Sequence, residues 1–144
     1  QSLFSFIETT KKDISQRLYD LFSLFSNDYI QVERNKITLS KFNEIKHLNF
    51  EEGFIRRGFF CNCEQECWII GFKDGDITEE CVTEFIDKSN KFQIKDKFIR
   101  RLIIGLDKTE INARLLAKEE KITTWDINHL NTLLDLYGKP RLIV

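Results

Sequence analysis

The stretch Cys67-Trp68-Ile69-Ile70-Gly71-Phe72-Lys73-Asp74-Gly75 decides the fold that we predict for this chain. Its apolar residues run without a break up to Lys73, as they do in a strand that is covered on both faces of a sheet. The polar run Asp74-Gly75-Asp76 is a turn signal. Thr78 begins a predicted helix over 78–89, although Thr78 and Cys81 fall short of a full capping box. The stretch therefore predicts a central strand that ends at Lys73 and a helix that packs back on the sheet.

The N-terminal half combines one long amphipathic helix with short strands. Apolar residues recur at helical spacing over 3–26, which predicts a long N-terminal helix. Further along, Ser40 is placed to cap a short helix whose buried side holds Phe42, Ile45 and Leu48. The strands predicted in this half cover 29–32, 36–39, 53–63 and 67–73.

The C-terminal third alternates strands with helices. Leu102-Ile103-Ile104 suits a strand covered on both faces, and Asp126 is placed to cap a Leu-rich helix that ends at Gly138. The predicted strands cover 98–106 and 122–125, with a helix over 109–120 between them. This alternation predicts a right-handed crossover and a partly parallel sheet. We therefore predict an α/β fold with a central mixed sheet flanked by helices.

Length and composition fit one domain. The chain has 144 residues, of which 42% are hydrophobic, and its core is rich in aromatic residues because 13 of them are Phe. It contains no Met, so we expect residues 1–144 to be a single domain excised from a longer protein. It also shows no apolar run of membrane-spanning length and no signal peptide, so we expect a cytoplasmic protein that does not engage a membrane.

The order of these predicted elements resembles the PD-(D/E)XK superfamily of restriction-endonuclease-like domains. The resemblance covers roughly residues 3–137 and rests on Trp68–Lys73, the helix that follows, and the later alternation of strands and helices. In that superfamily the third strand carries an acid two residues before a lysine. The acid binds a divalent metal, and the lysine orients the attacking water. Here Gly71 stands at the position of the acid, and only Lys73 matches the motif.

The second strand of the family pattern also carries an acid, but this chain has none between Gly58 and Cys63. The resemblance therefore implies a nuclease-like domain without an intact metal site, which needs no cofactor and acts as a binding or regulatory module. Its partner would be DNA or another domain of the same protein. The alternative is an active nuclease in which Asp74 and Asp76 hold Mg²⁺ beside Lys73. Glu64 and Glu8 are further carboxylates that such a relocated site could recruit.

The charge balance opposes a strongly basic nucleic-acid binder. The formal net charge is −1 and the isoelectric point is near 6.2. The net charge does not exclude a local basic patch, to which the doublets Lys11-Lys12, Arg56-Arg57 and Arg100-Arg101 could contribute. The residues that we expect to contact DNA are Arg56, Arg57, Arg100 and Arg101. The competing interpretation is solvated charge beside buried strands.

Four cysteines raise a third possibility. Cys61, Cys63 and Cys67 lie close together in the sequence, and Cys81 follows in the predicted helix. Tetrahedral zinc takes four thiolate or imidazole ligands, and the fourth ligand here would be Cys81 or His47. A small zinc-stabilised interaction domain is therefore an alternative function. The two-residue spacing of a common zinc knuckle is absent. Buried structural thiols on a strand and a redox role are the competing interpretations.

Overall fold

The computed structural model describes residues 14–32 and 34–142, and these form an α/β fold. These residues include a main sheet of five strands and a separate hairpin of two strands. The helices in these ranges are α1 (Ile14–Ser23), α2 (Glu79–Asn90), α3 (Ile111–Glu119) and α4 (Ile127–Leu136). The strands are β1 (Asp28–Val32), β2 (Asn35–Leu39), β3 (Glu44–Asn49), β4 (Arg57–Asn62), β5 (Glu66–Lys73), β6 (Phe98–Gly105) and β7 (Ile122–Trp125).

The main sheet is mixed, as predicted. Strands β3, β4 and β5 pair antiparallel, whereas β5, β6 and β7 pair parallel. The helices α2 and α3 connect the parallel strands. Strand β5 lies at the centre, and its residues Cys67–Phe72 are all buried. This burial on both faces explains why the strand is an unbroken apolar run.

Helices cover both faces of the sheet. On one face α1, α4 and the β1–β2 hairpin enclose a core that includes Phe22, Trp68, Trp125 and Leu133. On the other face α2 and α3 enclose a second core that includes Phe85. Within the described ranges, no helix has both the length and the apolar character that crossing a membrane would need. The central sheet therefore separates two hydrophobic cores.

Helix ends follow the capping signals of the sequence. The Thr78 hydroxyl accepts a hydrogen bond from the Cys81 amide at the start of α2. Asp126 and His129 form a reciprocal capping box at the start of α4. At the other end of α4, Gly138 has a φ of 66°, and Lys139 donates its amide hydrogen to the Leu134 carbonyl. That bond belongs to a Schellman motif, so the glycine ends the helix as predicted.

The short helix predicted after Ser40 is wrong. Residues 44–49 form the edge strand β3, which pairs with β4. Ile45 packs on the core beneath α1, whereas Leu48 packs on the core beneath α2. Residues three apart share one face of a helix but lie on opposite faces of a strand. The spacing that favoured a helix therefore fits a strand with one apolar residue on each face.

Two further boundaries differ from the prediction. The strand predicted over 53–63 begins only at Arg57, because the preceding residues form a loop that is bonded to α2. The helix predicted over 3–26 is described only in part, as α1 from Ile14 to Ser23. Residues 1–13, which include Glu8, Lys11 and Lys12, lie outside the described residues.

Candidate functional site

Lys73 lies at a cavity of about 320 Å³ at the C-terminal end of β5. We call it the β5-end cavity. It is lined by three cationic side chains and one carboxylate. Within the described residues, none of the three cations forms a salt bridge. The lining residues are Gly53, Phe54, Arg56, Arg57, Phe72, Lys73 and Asp74. The cavity therefore presents an excess of positive charge.

The loop over 50–56 supplies one wall of this cavity. The Phe50 amide donates to the Arg56 carbonyl at 2.8 Å, which closes the loop at its base. The Arg56 Nε donates to the Gly53 carbonyl at 3.0 Å, which holds the arginine beside the loop. Gly53 has a φ of 114°, a conformation that favours glycine. The wall is thus a closed loop with its own internal bonds.

Two side chains of α2 fasten this loop to the helix. The Glu84 carboxylate accepts hydrogen bonds from the Phe54 amide at 3.0 Å and from the Ile55 amide at 2.8 Å. The Lys88 ammonium group donates to the carbonyls of Glu52 and Ile55 at 2.6 and 2.7 Å. A β-carbon at Gly53 would lie 1.9 Å from Glu84 Oε1, so the close approach needs glycine here. We call this arrangement the Glu84–Lys88 clamp.

The clamp affects the ionisation of Glu84. Burial by itself raises the pKa of its carboxyl group. This increase is opposed by hydrogen bonds from the backbone amides of Ile55 and Phe54 and from the Lys88 ammonium group. The pKa of Glu84 therefore lies below its ordinary value. The carboxylate that holds the loop is therefore ionised at neutral pH.

Gly71 has no room for a side chain. It faces Gly58 across strands β5 and β4. A β-carbon on Gly71 would lie 2.8 Å from Phe85 Cε1 and 2.9 Å from Ile55 Cγ2, and both of these side chains are fully buried. A β-carbon on Gly58 would lie 1.9 Å from the Ile70 carbonyl oxygen. Apolar groups thus fill the space that a carboxylate at Gly71 would need.

The nearby carboxylates diverge. Asp74 lines the β5-end cavity, whereas Asp76 accepts a hydrogen bond from the Lys108 amide at 3.3 Å in the loop after β6. Glu64 lines a different cavity, near the N-terminal end of β5. Across the described part of the chain, no three His, Cys, Asp or Glu side chains gather into a group that could hold a metal ion. The β5-end cavity itself contains one carboxylate.

The arginine doublets lie apart. Arg57 faces Phe72 across the sheet and Arg100 faces Trp68, so the two arginines are offset by roughly 13 Å along β5 at about 3.3 Å per residue. The Arg100 guanidinium group stacks on the Trp68 ring at 4.5 Å and donates to the Thr38 carbonyl. Arg101 instead donates to the Glu120 carbonyl at 2.7 Å and to Asn90 Oδ1. Only Arg56 and Arg57 join Lys73 at one site.

The sheet also divides the cysteines. Cys61 belongs to the core beneath α1, whereas Cys81 belongs to the core beneath α2. Cys67 pairs with Asn62, the residue after Cys61, so its side chain lies on the face opposite to Cys61. Cys63 is half-buried in the turn before β5, and its thiol donates to the Glu66 carbonyl. Burial raises the pKa values of the Cys61 and Cys67 thiols. Cys61 thus lies on the face opposite to Cys67 and Cys81, and Cys63 lies in a turn, so the arrangement gives no support to a zinc site.

The sequence reasoning missed Phe54 and the Glu84–Lys88 clamp. Phe54 is 55% exposed and lies beside the two arginines in the cavity wall. The sequence feature that could have identified Phe54 is an aromatic residue two positions before a basic doublet. In the sequence, Glu84 and Lys88 show only the four-residue spacing of an ion pair along a helix. Their bonds to the loop join residues 29 to 36 positions apart, which local spacing does not reveal.

Comparison with known proteins adds no relative. No protein-family model matches this chain, and no curated protein matches it in sequence. The proposals below therefore rest on the geometry of the residues themselves.

Proposed function

We propose that this chain is a nuclease-like binding module that holds nucleic acid at the β5-end cavity without cleaving it. The proposal retains the resemblance to restriction-endonuclease-like domains and assigns the binding role to the residues around Lys73. Its partner is DNA rather than another protein domain, because the cavity is cationic and partly aromatic.

The order of elements supports the resemblance. Three antiparallel strands lead to Lys73 at the end of the central strand, then a helix follows and a parallel strand comes next. This is the order that the family pattern requires around its lysine. Lys73 would then lie where the catalytic lysine of an active relative lies.

The packing around Gly71 carries the proposal that cleavage is absent. Metal-dependent cleavage of a phosphodiester needs carboxylates that hold a cation against the developing charge. At Gly71 the corresponding space is filled by Phe85 and Ile55. Mg²⁺ prefers hard oxygen ligands, and apolar side chains offer none. Asp74 is the one carboxylate that lines the cavity, so an active nuclease with its metal at this site would have one local carboxylate ligand.

The charge of the cavity supports binding to phosphate groups. Arg56, Arg57 and Lys73 exceed the single carboxylate of Asp74 by two positive charges, although the whole chain carries a net charge of −1. Arginine binds phosphate oxygens with two parallel hydrogen bonds. A local cationic site on a nearly neutral protein favours a small footprint on nucleic acid with few phosphate contacts.

A binding and cleavage experiment tests this function. Fluorescence anisotropy at low salt would measure the affinity for labelled DNA, and the same mixtures with Mg²⁺ or Mn²⁺ would be analysed for cleaved products. We expect binding that weakens steeply as the salt concentration rises, and we expect the DNA to stay intact in every mixture. The variant Arg56→Gln with Arg57→Gln should lose most of the affinity.

The matched control is Arg100→Gln with Arg101→Gln. It removes the same number of arginines away from the cavity, so it should bind DNA about as well as the parent protein. Cleavage that disappears in Asp74→Ala or Lys73→Ala would contradict the proposal and favour the active nuclease. A parent protein that binds no DNA would favour a protein domain as the partner.

A further inference from the structure

Phe54 is an exposed aromatic residue whose position is tightly held. The residue is 55% exposed and lines the β5-end cavity, so packing in a core does not account for it. Its backbone amide donates to Glu84, and the next residue, Ile55, is fully buried and also bonded to Glu84. The backbone that carries the ring is therefore fixed before any ligand binds, which lowers the entropy lost on binding.

The ring lies beside cationic groups at the same cavity. Phe54 and Arg56 belong to the loop over 50–56. Arg57 begins β4, and Lys73 ends the neighbouring strand β5. Arg56 and Arg57 also line a second cavity of about 540 Å³, together with the polar residues His47 and Asn49 and the carboxylate of Glu51. The two arginines are thus shared by adjoining concave surfaces.

We propose that the β5-end cavity takes an unpaired segment of a polynucleotide, with one base stacked on Phe54 and the adjoining phosphates held by Arg56, Arg57 and Lys73. The inference rests on the proposed function, because it names the form of nucleic acid that the same cavity takes. An aromatic ring beside a cationic track is the combination that binds single strands. In a duplex the bases are already stacked on each other, so no base offers a free face to the ring of Phe54.

The test compares unpaired and paired nucleic acid of matched length. Fluorescein-labelled oligothymidine and oligouridine, each about 12 nucleotides long, would be titrated in anisotropy alongside a fully paired duplex made from two complementary strands of the same length. We expect the unpaired strands to bind about tenfold more tightly than the duplex. The thymidine and uridine arms differ in the sugar and in the methyl group of the base, and preferred binding of either strand supports the inference.

Aromatic variants identify the role of the ring. Phe54→Ala should weaken single-strand binding by about tenfold, as expected for the loss of one stacked base, whereas Phe54→Trp should restore it. The matched control is Phe98→Ala. Phe98 is 67% exposed but begins β6 at the opposite end of the parallel pair, where it faces Glu66 rather than Lys73. This control should bind like the parent protein.

The contrary outcomes separate this inference from the proposed function. Equal binding of strand and duplex, or a strand preference that survives Phe54→Ala, would overturn the inference. Both outcomes leave the proposed function intact if Arg56→Gln with Arg57→Gln still abolishes binding. A parent protein that binds none of the three probes would overturn the inference and the DNA-binding function together. Circular dichroism of each variant confirms that its fold is retained.

Discussion

The ring of Phe85 occupies the space that a side chain on Gly71 would need. The Phe85 Cε1 atom lies 2.8 Å from the ideal β-carbon position of Gly71, and the ring is fully buried between α2 and the sheet. A glycine at this position is therefore a packing requirement of the fold. Placing an acid here, as in the nuclease motif that the sequence resembles, would disturb the core rather than build a metal site.

The first prediction is that Gly71→Asp destabilises the protein and creates no nuclease activity. The new side chain would overlap Phe85 and Ile55 and would bury a carboxylate among apolar groups, so we expect a loss of more than about 3 kcal/mol in the free energy of unfolding. Urea denaturation measures this loss. Gly71→Ala introduces the overlap without the charge and should cost about 1–3 kcal/mol. An unchanged urea midpoint in Gly71→Asp would show that the space is available.

The second prediction concerns the Glu84–Lys88 clamp. Glu84→Gln keeps the shape of the side chain but leaves one of the two loop amides without an acceptor. We expect a loss of about 1–3 kcal/mol in urea unfolding, together with weaker nucleic-acid binding because the loop no longer holds Phe54 in place. Asp87→Asn is the matched control, because Asp87 is an exposed carboxylate on the same helix. A loss of the same size in both variants would argue against the clamp.

The third prediction is the pH dependence of that effect. The pKa of Glu84 is lower in the folded protein than in the unfolded chain, where it is about 4.3. The stabilisation from its ionised form is therefore fully present above pH 4.3 and declines as the pH falls through the lower folded value. The difference in unfolding free energy between the parent and Glu84→Gln should shrink at acidic pH. A difference that stays constant from neutral to acidic pH would contradict this linkage.

The fourth prediction concerns the core on the α4 face. Leu133 has no exposed surface and packs beneath α4 with Trp125 and other large residues. Leu133→Ala should lower the free energy of unfolding by about 2–5 kcal/mol, measured in urea. Leu115→Ala provides the comparison, because Leu115 is 60% exposed on α3 and should lose under about 0.5 kcal/mol. Similar losses in the two variants would mean that burial does not distinguish these leucines.

The fifth prediction concerns the capping box of α4. Asp126 accepts hydrogen bonds from the amides of Asn128 and His129, and His129 Nδ1 lies 2.9 Å from its carboxylate. Asp126→Ala should cost about 0.5–2 kcal/mol in thermal or urea unfolding, because the first turn loses its acceptor. Asp126→Ser keeps a capping oxygen and should recover most of the loss. A serine variant no better than the alanine variant would place the effect outside the cap.

Local patterns in the sequence were sufficient for much of the sheet and its helices. The strand at Ile122–Trp125 has the predicted bounds, and the strand that ends at Lys73 differs by one residue at its start. These segments are strongly apolar and bounded by turn or capping residues, so their structure is encoded within a few neighbours. The strand over 44–49 was not predicted, because the same apolar spacing fits a helix or an edge strand. Pairing with β4 decides between these two structures.

The sequence by itself determined that a glycine stands where the nuclease motif that it resembles has an acid, since Gly71 lies two residues before Lys73. Only the tertiary structure decided what surrounds that glycine and which charges meet beside the lysine. Phe85 and Glu84 reach the site from α2, whereas Ile55 comes from the loop over 50–56. The alternation of side chains across the sheet places Cys61 on the opposite face from Cys81. Spacing along a chain fixes which face a residue occupies, but strand pairing and helix packing set which faces come together.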